Sequence, residues 1–206
     1  MLFLLTGECQ IGKTRWLEAL VGRLAEEGVE SYGVIAPGIW VPSDSEGAND
    51  QGLEKLGIDN VLLPEGERIP FAKRRDLAIR DGLFQGDSQS EQLALGWHIF
   101  DEAIGRVNAH FDALAERPAS ERAKAPSLLV VDELGRLELM RGIGLTSAVR
   151  MLDEGPSEEF PHAVVVVREA LLQLAEERLA PAWPEMKAIG PSREAEEEVL
   201  AAFSRR

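Results

Sequence analysis

Short, almost continuous apolar segments alternate along the chain with segments in which apolar residues recur every three or four positions. The apolar segments 2–6, 127–131 and 163–167 have the length and composition of strands buried on both faces of a parallel sheet. A further strand is predicted over 32–36. This order predicts an α/β fold in which a mostly parallel central sheet is flanked by helices.

Helical periodicity follows most of these strands. The first helix is predicted to follow the loop of residues 7–14 and to end at Gly28. A long helix is predicted over 91–115, where large apolar residues recur at helical spacing, and this spacing assigns Trp97 to packing. Shorter helices are predicted around 145–153, 169–179 and 193–205. Ligands of such sheets bind outside the carboxyl ends of the strands.

The segment between the second strand and the long helix has a different pattern. Residues 43–52 are small, polar or glycine, which predicts a loop. The apolar segments 57–63 and 69–72 flank a turn-forming sequence, so an antiparallel hairpin is predicted near residues 57–72. No internal repeat and no clear linker interrupt the chain, and a single domain is therefore predicted over 1–206.

Composition restricts the possible partners. The chain has 206 residues, 45% of them hydrophobic, and a formal net charge of −14 at pH 7. An acidic chain is poorly suited to the phosphate backbone of nucleic acid, so no nucleic acid is expected as the main partner. The single cysteine excludes an internal disulfide framework. The first apolar segment is too short for a signal peptide or a membrane span, which predicts a cytoplasmic protein without a membrane partner.

The loop between the first strand and the first helix carries the strongest chemical signal. Residues 7–14 read Gly-Glu-Cys-Gln-Ile-Gly-Lys-Thr and match the phosphate-binding pattern G-x-x-x-x-G-K-[ST]. In this pattern backbone amides bind phosphate oxygens, the lysine reaches the β and γ phosphates, and the hydroxyl binds magnesium. For Arg15, contact with phosphate and exposure to solvent both stay open. The predicted nucleotide-binding residues are Gly7, Glu8, Cys9, Gln10, Ile11, Gly12, Lys13, Thr14 and Arg15.

Two consecutive acids follow the apolar segment 127–131. Asp132 is predicted to lie at the carboxyl edge of the sheet and to bind Mg²⁺ together with Thr14, while Glu133 polarises an attacking water. Arg168 directly follows the segment 163–167 and is predicted to emerge at the same edge. There it either stabilises charge on the γ-phosphate or pairs with an acid. The predicted catalytic residues are Lys13, Glu133 and Arg168, and the predicted cofactor is Mg²⁺.

Together the two motifs resemble a known family. Residues 6–14 and 131–139 are similar to segments of the small P-loop nucleoside-triphosphatase family first known from thermophiles, of the cancer-related nucleoside-triphosphatase type. The resemblance implies a RecA-like P-loop fold and slow, magnesium-dependent hydrolysis of several nucleoside triphosphates, ATP or GTP among them, to diphosphate and phosphate. The chain departs from the family at Cys9 and Gln10, where members carry Pro-Gly or a similar pair, and at Arg15, where they carry Thr. The missing glycine removes a position that readily takes positive φ, so a different loop geometry or phosphate affinity is expected.

Two other functions stay open at this point. A small-molecule or nucleotide kinase would use a basic segment as its lid, although the Asp132-Glu133 doublet favours water as the acceptor. A nucleotide-gated protein-binding switch would need the same residues as a hydrolase. The basic residues can instead pair with acids of the same chain, and Trp40 is a candidate for stacking on a base. The basic segment comprises Arg68, Lys73, Arg74, Arg75 and Arg80.

Overall fold

One nine-stranded mixed sheet runs through the chain and is covered by helices on both faces. The computed structural model describes residues 1–45, 47–49, 51–93, 95–118, 120–123 and 125–204. Four residues that belong to predicted elements lie outside this description: residues 46 and 50 of the loop, 94 of the long helix and 205 of the last helix.

The strands and helices alternate along most of the chain. The strands are β1 (Leu2–Leu5), β2 (Ser31–Ile35), β3 (Gly38–Pro42), β4 (Leu53–Leu63), β5 (Glu67–Arg74), β6 (Trp97–Ile99), β7 (Leu128–Leu134), β8 (His162–Val167) and β9 (Met186–Ile189). The α-helices are α1 (Lys13–Glu26), α2 (Arg75–Arg80), α3 (Asp101–Glu116), α4 (Thr146–Asp153), α5 (Leu172–Leu179) and α6 (Arg193–Ser204). Across the described ranges, no helix combines the length and the apolar character that a membrane crossing requires.

The sheet has a parallel half and an antiparallel half. Its strand order is β6-β5-β4-β2-β7-β8-β1-β9, and β3 pairs with β4 beside this path. Strands β2, β7, β8, β1 and β9 are parallel, whereas β3, β4, β5 and β6 pair in antiparallel fashion. The predicted parallel sheet with an antiparallel hairpin is confirmed. The hairpin is longer than predicted, and β3 and β6 extend it into a wall of four strands.

Alternate side chains of the central strands enter two separate cores. In β1, Leu2 and Leu4 pack in a core with α3, α4 and α5, while Phe3 and Leu5 pack in a second core with α1 and α6. Successive side chains of a strand point to opposite faces, so a strand covered on both faces needs apolar residues at every position. This requirement accounts for the continuous apolar segments in the sequence.

The helix predicted over 91–115 is wrong in its first part. Residues 97–99 form β6, which pairs with β5, and α3 begins only at Asp101. The acidic residues Asp101 and Glu102 occupy the first turn of α3, where the helix dipole favours negative charge. Pairing with β5 provides hydrogen-bond partners for the backbone of residues 97–99. It also places Trp97 in the wall of a cleft instead of in the core. Apolar spacing alone does not distinguish these two arrangements.

Three short elements are absent from the sequence-based prediction. Strand β3 consists of residues 38–42, α2 of residues 75–80, and β9 of residues 186–189. Strand β9 lies at the edge of the sheet beside β1 and carries the exposed Lys187. Short edge strands with a charged residue are common because they limit pairing with other chains, and they leave little periodicity to detect.

Gly33 is required by the contact between β2 and β7. It has a φ of +116°, and a Cβ there would lie 2.0 Å from the carbonyl oxygen of Val130. We expect Gly33→Ala to lower the free energy of unfolding by about 3 kcal/mol, because the two central strands must separate to admit the methyl group. Chemical denaturation followed by circular dichroism measures this change.

Gly22→Ala is the matched control. Gly22 lies within α1, and a Cβ there has no atom within 4 Å. We expect this variant to unfold with a free energy up to about 1 kcal/mol higher than the parent, because alanine favours the helix. A Gly33→Ala protein as stable as Gly22→Ala would contradict the assigned role of Gly33.

Candidate active site

The loop between β1 and α1 curves around the amino end of α1. Gly7 and Gly12 take positive φ values of +130° and +96°, and Gly12 directly precedes the helix. The ammonium of Lys13 donates hydrogen bonds to the carbonyl oxygens of Gly7 at 2.8 Å and Glu8 at 2.6 Å, so it lies along the loop. The first amides of a helix have no partner within the helix, and together with the ammonium they form a binding site for anions.

Gln10 takes a left-handed backbone conformation, which glycine adopts more readily than other residues. Its φ is +63°, and it is the only non-glycine residue with positive φ in the described part of the chain. For a residue with a Cβ this conformation costs about 1 kcal/mol. The loop therefore carries local backbone strain at Gln10.

Asp132 lies at the floor of the site, beside Thr14. Its side chain is buried, with the residue only 4% exposed, and the amide of Ala36 donates a hydrogen bond to its Oδ2 at 3.1 Å. The pKa of Asp132 is raised to about 6, chiefly by burial and also by the charge of Glu133, whereas the Ala36 amide and the hydroxyl of Thr14 act to lower it. Burial disfavours the ionised carboxylate, and a bound cation would stabilise it.

The side chains of Thr14 and Asp132 fit a magnesium ion. A hydroxyl and a carboxylate are the hard oxygen ligands that Mg²⁺ prefers, and Mg²⁺ is usually bound by one or two protein carboxylates together with substrate phosphates. Among the residues that the structure describes, no group of three or more His, Cys, Asp or Glu side chains could bind a metal by itself. The donor set thus suits a metal that arrives with a phosphorylated ligand.

Glu133 and Arg168 form an ion pair at the edge of the sheet. Strand β8 lies between β1 and β7, so Arg168 emerges between the phosphate-binding loop and the two acids. Its Nε donates a hydrogen bond to Oε1 of Glu133 at 2.8 Å, and both side chains are partly exposed. The charge of Glu133 raises the pKa of Arg168. Of the two roles predicted for Arg168, pairing with an acid is therefore present, and its partner is the predicted base.

Glu138 supports the chain just beyond this ion pair. Its buried carboxylate accepts hydrogen bonds from the amides of Gly135 at 2.9 Å and Leu145 at 2.8 Å. Burial raises the pKa of Glu138, and these amides lower it. The carboxylate closes the turn that follows β7 and thereby positions the end of that strand.

The predicted site residues line a cleft of about 930 Å³. This volume lies in the range of roughly 300–1,000 Å³ that is common for small-molecule sites. Residues 9–15, Asp132, Glu133 and Arg168 line it, while Gly7 and Glu8 contribute the carbonyl groups that bind Lys13. Arg15 is exposed at the rim, where contact with a ligand and contact with solvent are both possible.

Two solved structures have a similar fold over their whole length. The crystal structure of THEP1 from the hyperthermophile Aquifex aeolicus matches with a TM-score of 0.61 at 17% identity, and the match covers 100% of both chains. The solution structure of a human cancer-related nucleoside triphosphatase matches with a TM-score of 0.60 at 18% identity, over 100% of this chain and 98% of that one. The fold is that of the P-loop NTPases. The predicted resemblance is thus confirmed at the level of the fold.

Sequence comparison alone does not reach this result. No protein-family model matches the chain, and no curated protein matches it either. The fold is preserved because buried apolar strands and helix faces tolerate many substitutions of similar volume.

The wall of the cleft that the antiparallel strands form contains a cation that sequence reasoning missed. The ammonium of Lys55 lies 5.8 Å from the ring centre of Trp40 and 5.5 Å from that of Trp97. Trp40, the candidate for base stacking, borders the cleft. Trp97 borders it as well, although the helical spacing assigned this residue to packing. No local signal marks this cluster, because its residues lie on β3, β4 and β6, which come together only through the pairing of β3 with β4, β4 with β5 and β5 with β6.

The basic segment is paired with acids of the same chain. Of its five residues, only Arg68 lines the cleft. Intramolecular pairing, one of the two alternatives for this segment, agrees with the structure. The pairs are Arg68 with Asp59 at 3.0 Å, Lys73 with Asp81 at 2.5 Å, Arg74 with Glu54 and Asp76, Arg75 with Glu91 at 2.9 Å, and Arg80 with Asp81 at 2.8 Å.

Replacement of Gln10 tests the strain in the loop. We expect Gln10→Gly to raise the free energy of unfolding by up to about 1 kcal/mol, because glycine takes a φ of +63° without a steric cost. Cys9→Gly is the matched control, since Cys9 does not have positive φ. There glycine only adds flexibility and is expected to lower the stability by about 0.5–1 kcal/mol. Chemical denaturation that gives the same loss for both variants would rule out strain at Gln10.

Proposed function

We propose that the protein hydrolyses nucleoside 5′-triphosphates, ATP or GTP among them, to diphosphate and phosphate with the help of Mg²⁺. One observation carries the proposal: the loop lysine, Thr14, Asp132 and the partly exposed Glu133 line the same cleft. The human structure with the same fold is named a nucleoside triphosphatase, which supports this reading. Slow turnover and broad base specificity belong to the proposal through the resemblance of residues 6–14 and 131–139.

Phosphate binding begins with Lys13 and the amino end of α1. Without a ligand, the ammonium of Lys13 donates to two backbone carbonyl oxygens. Phosphate oxygens carry a full charge and form stronger hydrogen bonds with an ammonium than neutral carbonyls do. Lys13 therefore exchanges these partners for the phosphates, and the loop amides donate to the same group.

Thr14 and Asp132 would hold the magnesium ion. When bound, the ion neutralises charge on the β and γ phosphates. The ionised carboxylate of Asp132 is disfavoured by burial, so the amide of Ala36 has a further role. Its hydrogen bond keeps the charged form of Asp132 available as a ligand.

Glu133 would act as the base for the attacking water. Its carboxylate borders the cleft beside Asp132 and accepts a hydrogen bond from Arg168 on Oε1 alone. The other oxygen accepts no hydrogen bond from the described residues, so it can orient a water and accept its proton. Partly exposed ion pairs contribute only about 0–1 kcal/mol, so the γ-phosphate competes readily for the guanidinium of Arg168. Arg168 can then stabilise the charge that develops during phosphoryl transfer.

Replacement of the base separates binding from hydrolysis. We expect Glu133→Gln to reduce the turnover of nucleoside triphosphates by about 10²–10⁴-fold, because the amide cannot accept a proton. Nucleotide affinity should stay near that of the parent. Phosphate release from a panel of nucleoside triphosphates, with Mg²⁺ and with EDTA, measures both the base preference and the metal requirement.

The control for this variant is Glu158→Gln. Glu158 is exposed and lies away from the cleft, so its replacement should leave turnover unchanged. Hydrolysis by Glu133→Gln at the parent rate would show that Glu133 is not the base. Equal rates of hydrolysis in Mg²⁺ and in EDTA would contradict the metal requirement.

Arg168→Ala tests the charge-stabilising role. We expect kcat to fall by at least about tenfold, with partial recovery in Arg168→Lys, because a cation near the γ-phosphate favours the transition state. Arg178→Ala, which removes an arginine paired with Asp153 outside the cleft, is the control. If Arg168→Ala changes neither turnover nor nucleotide affinity, the ion pair with Glu133 has only a structural role.

A further inference from the structure

Lys55 is a lysine of β4 that lies in the cleft between two tryptophans. It is half-buried, and its ammonium faces the rings of Trp40 and Trp97. In contrast to Lys73 and Lys187, which pair with carboxylates, Lys55 forms neither an ion pair nor a hydrogen bond within the described residues. An ammonium is rarely removed from water without an anionic partner.

The packing around Lys55 defines its position. Trp40 lies opposite Lys55 in the pairing of β3 with β4. A Cβ on Gly38 would lie 2.5 Å from Trp40 Nε1 and 2.6 Å from Lys55 Cε. Both side chains therefore pack directly against this glycine. The ring faces attract the ammonium and hold it at the cleft wall. The cation is thus built into the wall and does not extend into solvent.

Lys55 faces the chemical end of the cleft. Burial lowers the pKa of Lys55 and the charge of Arg168 lowers it further, whereas the charges of Glu133 and Asp132 raise it. These three residues are the proposed base, the proposed metal ligand and the proposed charge-stabilising arginine. The ammonium is therefore within electrostatic range of the place where the terminal phosphate would react.

We propose that Lys55 is a catalytic residue that binds the terminal phosphate of a nucleoside triphosphate. The proposal rests on the hydrolytic function argued above. Lys13 approaches the phosphates from the loop, and Lys55 approaches from the wall formed by the antiparallel strands, so the γ-phosphate would give both ammonium groups an anionic partner. Phosphate oxygens supply the anionic partner that the described residues do not offer to Lys55.

The position of Lys55 also distinguishes substrate from product. A diphosphate ends at its β-phosphate, which the loop and Lys13 bind. It lacks the group that Lys55 would contact. Lys55 therefore strengthens the binding of the triphosphate without strengthening that of the diphosphate product, and it raises kcat because its contact strengthens further as charge develops in the transition state.

Replacement of Lys55 by methionine tests this role, since methionine keeps the length and apolar stem of lysine and removes its charge. Calorimetric titrations with Mg²⁺ would compare non-hydrolysable analogues of ATP and GTP with ADP and GDP. We expect Lys55→Met to lose about tenfold or more in affinity for the triphosphate analogues and less than about twofold for the diphosphates. Its kcat should fall by about 10²-fold, as for the loss of one preorganised donor to a developing charge.

Lys187→Met is the matched control. Lys187 lies on β9, pairs with Glu198 and does not line the cleft, so this variant should behave as the parent in every titration. Lys55→Gln serves as a second neutral variant should Lys55→Met not fold, which circular dichroism and thermal melting would report. Lys55→Arg keeps the charge and should retain part of the preference for triphosphate.

The outcomes separate this proposal from the function on which it rests. Equal losses of triphosphate and diphosphate affinity would make Lys55 a packing residue, and unchanged affinities and kcat would remove it from the site. In both cases hydrolysis by the parent would leave the proposed function intact. A parent protein that binds none of the four nucleotides would overturn the hydrolase proposal, and the role of Lys55 with it.

Discussion

The parallel pairing of β1, β8 and β7 is the constraint on which the rest of the site depends. In this register Leu5 and Asp132 both lie opposite Val166, so three chain segments reach the same edge of the sheet. The phosphate-binding loop follows the first, Arg168 follows the second, and the acids lie on the third. A slip of one residue would turn every side chain of a strand to the opposite face. Both faces of the sheet are packed, so the core permits only this register. The same register brings the loop, Arg168 and the acids to one edge of the sheet.

Cationic and acidic side chains face each other in the cleft, and burial removes some of them from water. Lys13, Lys55 and Arg168 oppose Asp132 and Glu133 within one cleft of a chain whose formal net charge is −14. Burial raises the pKa of Asp132 and lowers that of Lys55, so both charged forms are less stable than they would be in water. A metal-bound phosphate would offer a cation to the first and anionic oxygens to the second.

The sequence predicts the parallel half of the sheet and its chemistry well, because each signal there is local. The apolar strands, the loop at residues 7–14 and the acids at 132–133 can each be recognised from a few neighbouring residues. The antiparallel half is different: Lys55, Trp40 and Trp97 lie on three separate strands, and they come together only when β3, β4, β5 and β6 pair side by side. For the same reason the sequence predicts helix at residues 97–99, which form β6. The pairing of β6 with β5 depends on β5 and cannot be recognised from the residues of β6 alone.

The parallel and antiparallel halves of the sheet meet beside Asp132, the candidate metal ligand. Strand β2 pairs with β7 on one side and with β4 on the other, and the residue that follows it, Ala36, donates the hydrogen bond to Asp132. The wall that carries Lys55 is thus joined to the acids through a single intervening strand. Packed strands move little relative to one another, so the distance between Lys55 and the acids is set by the sheet.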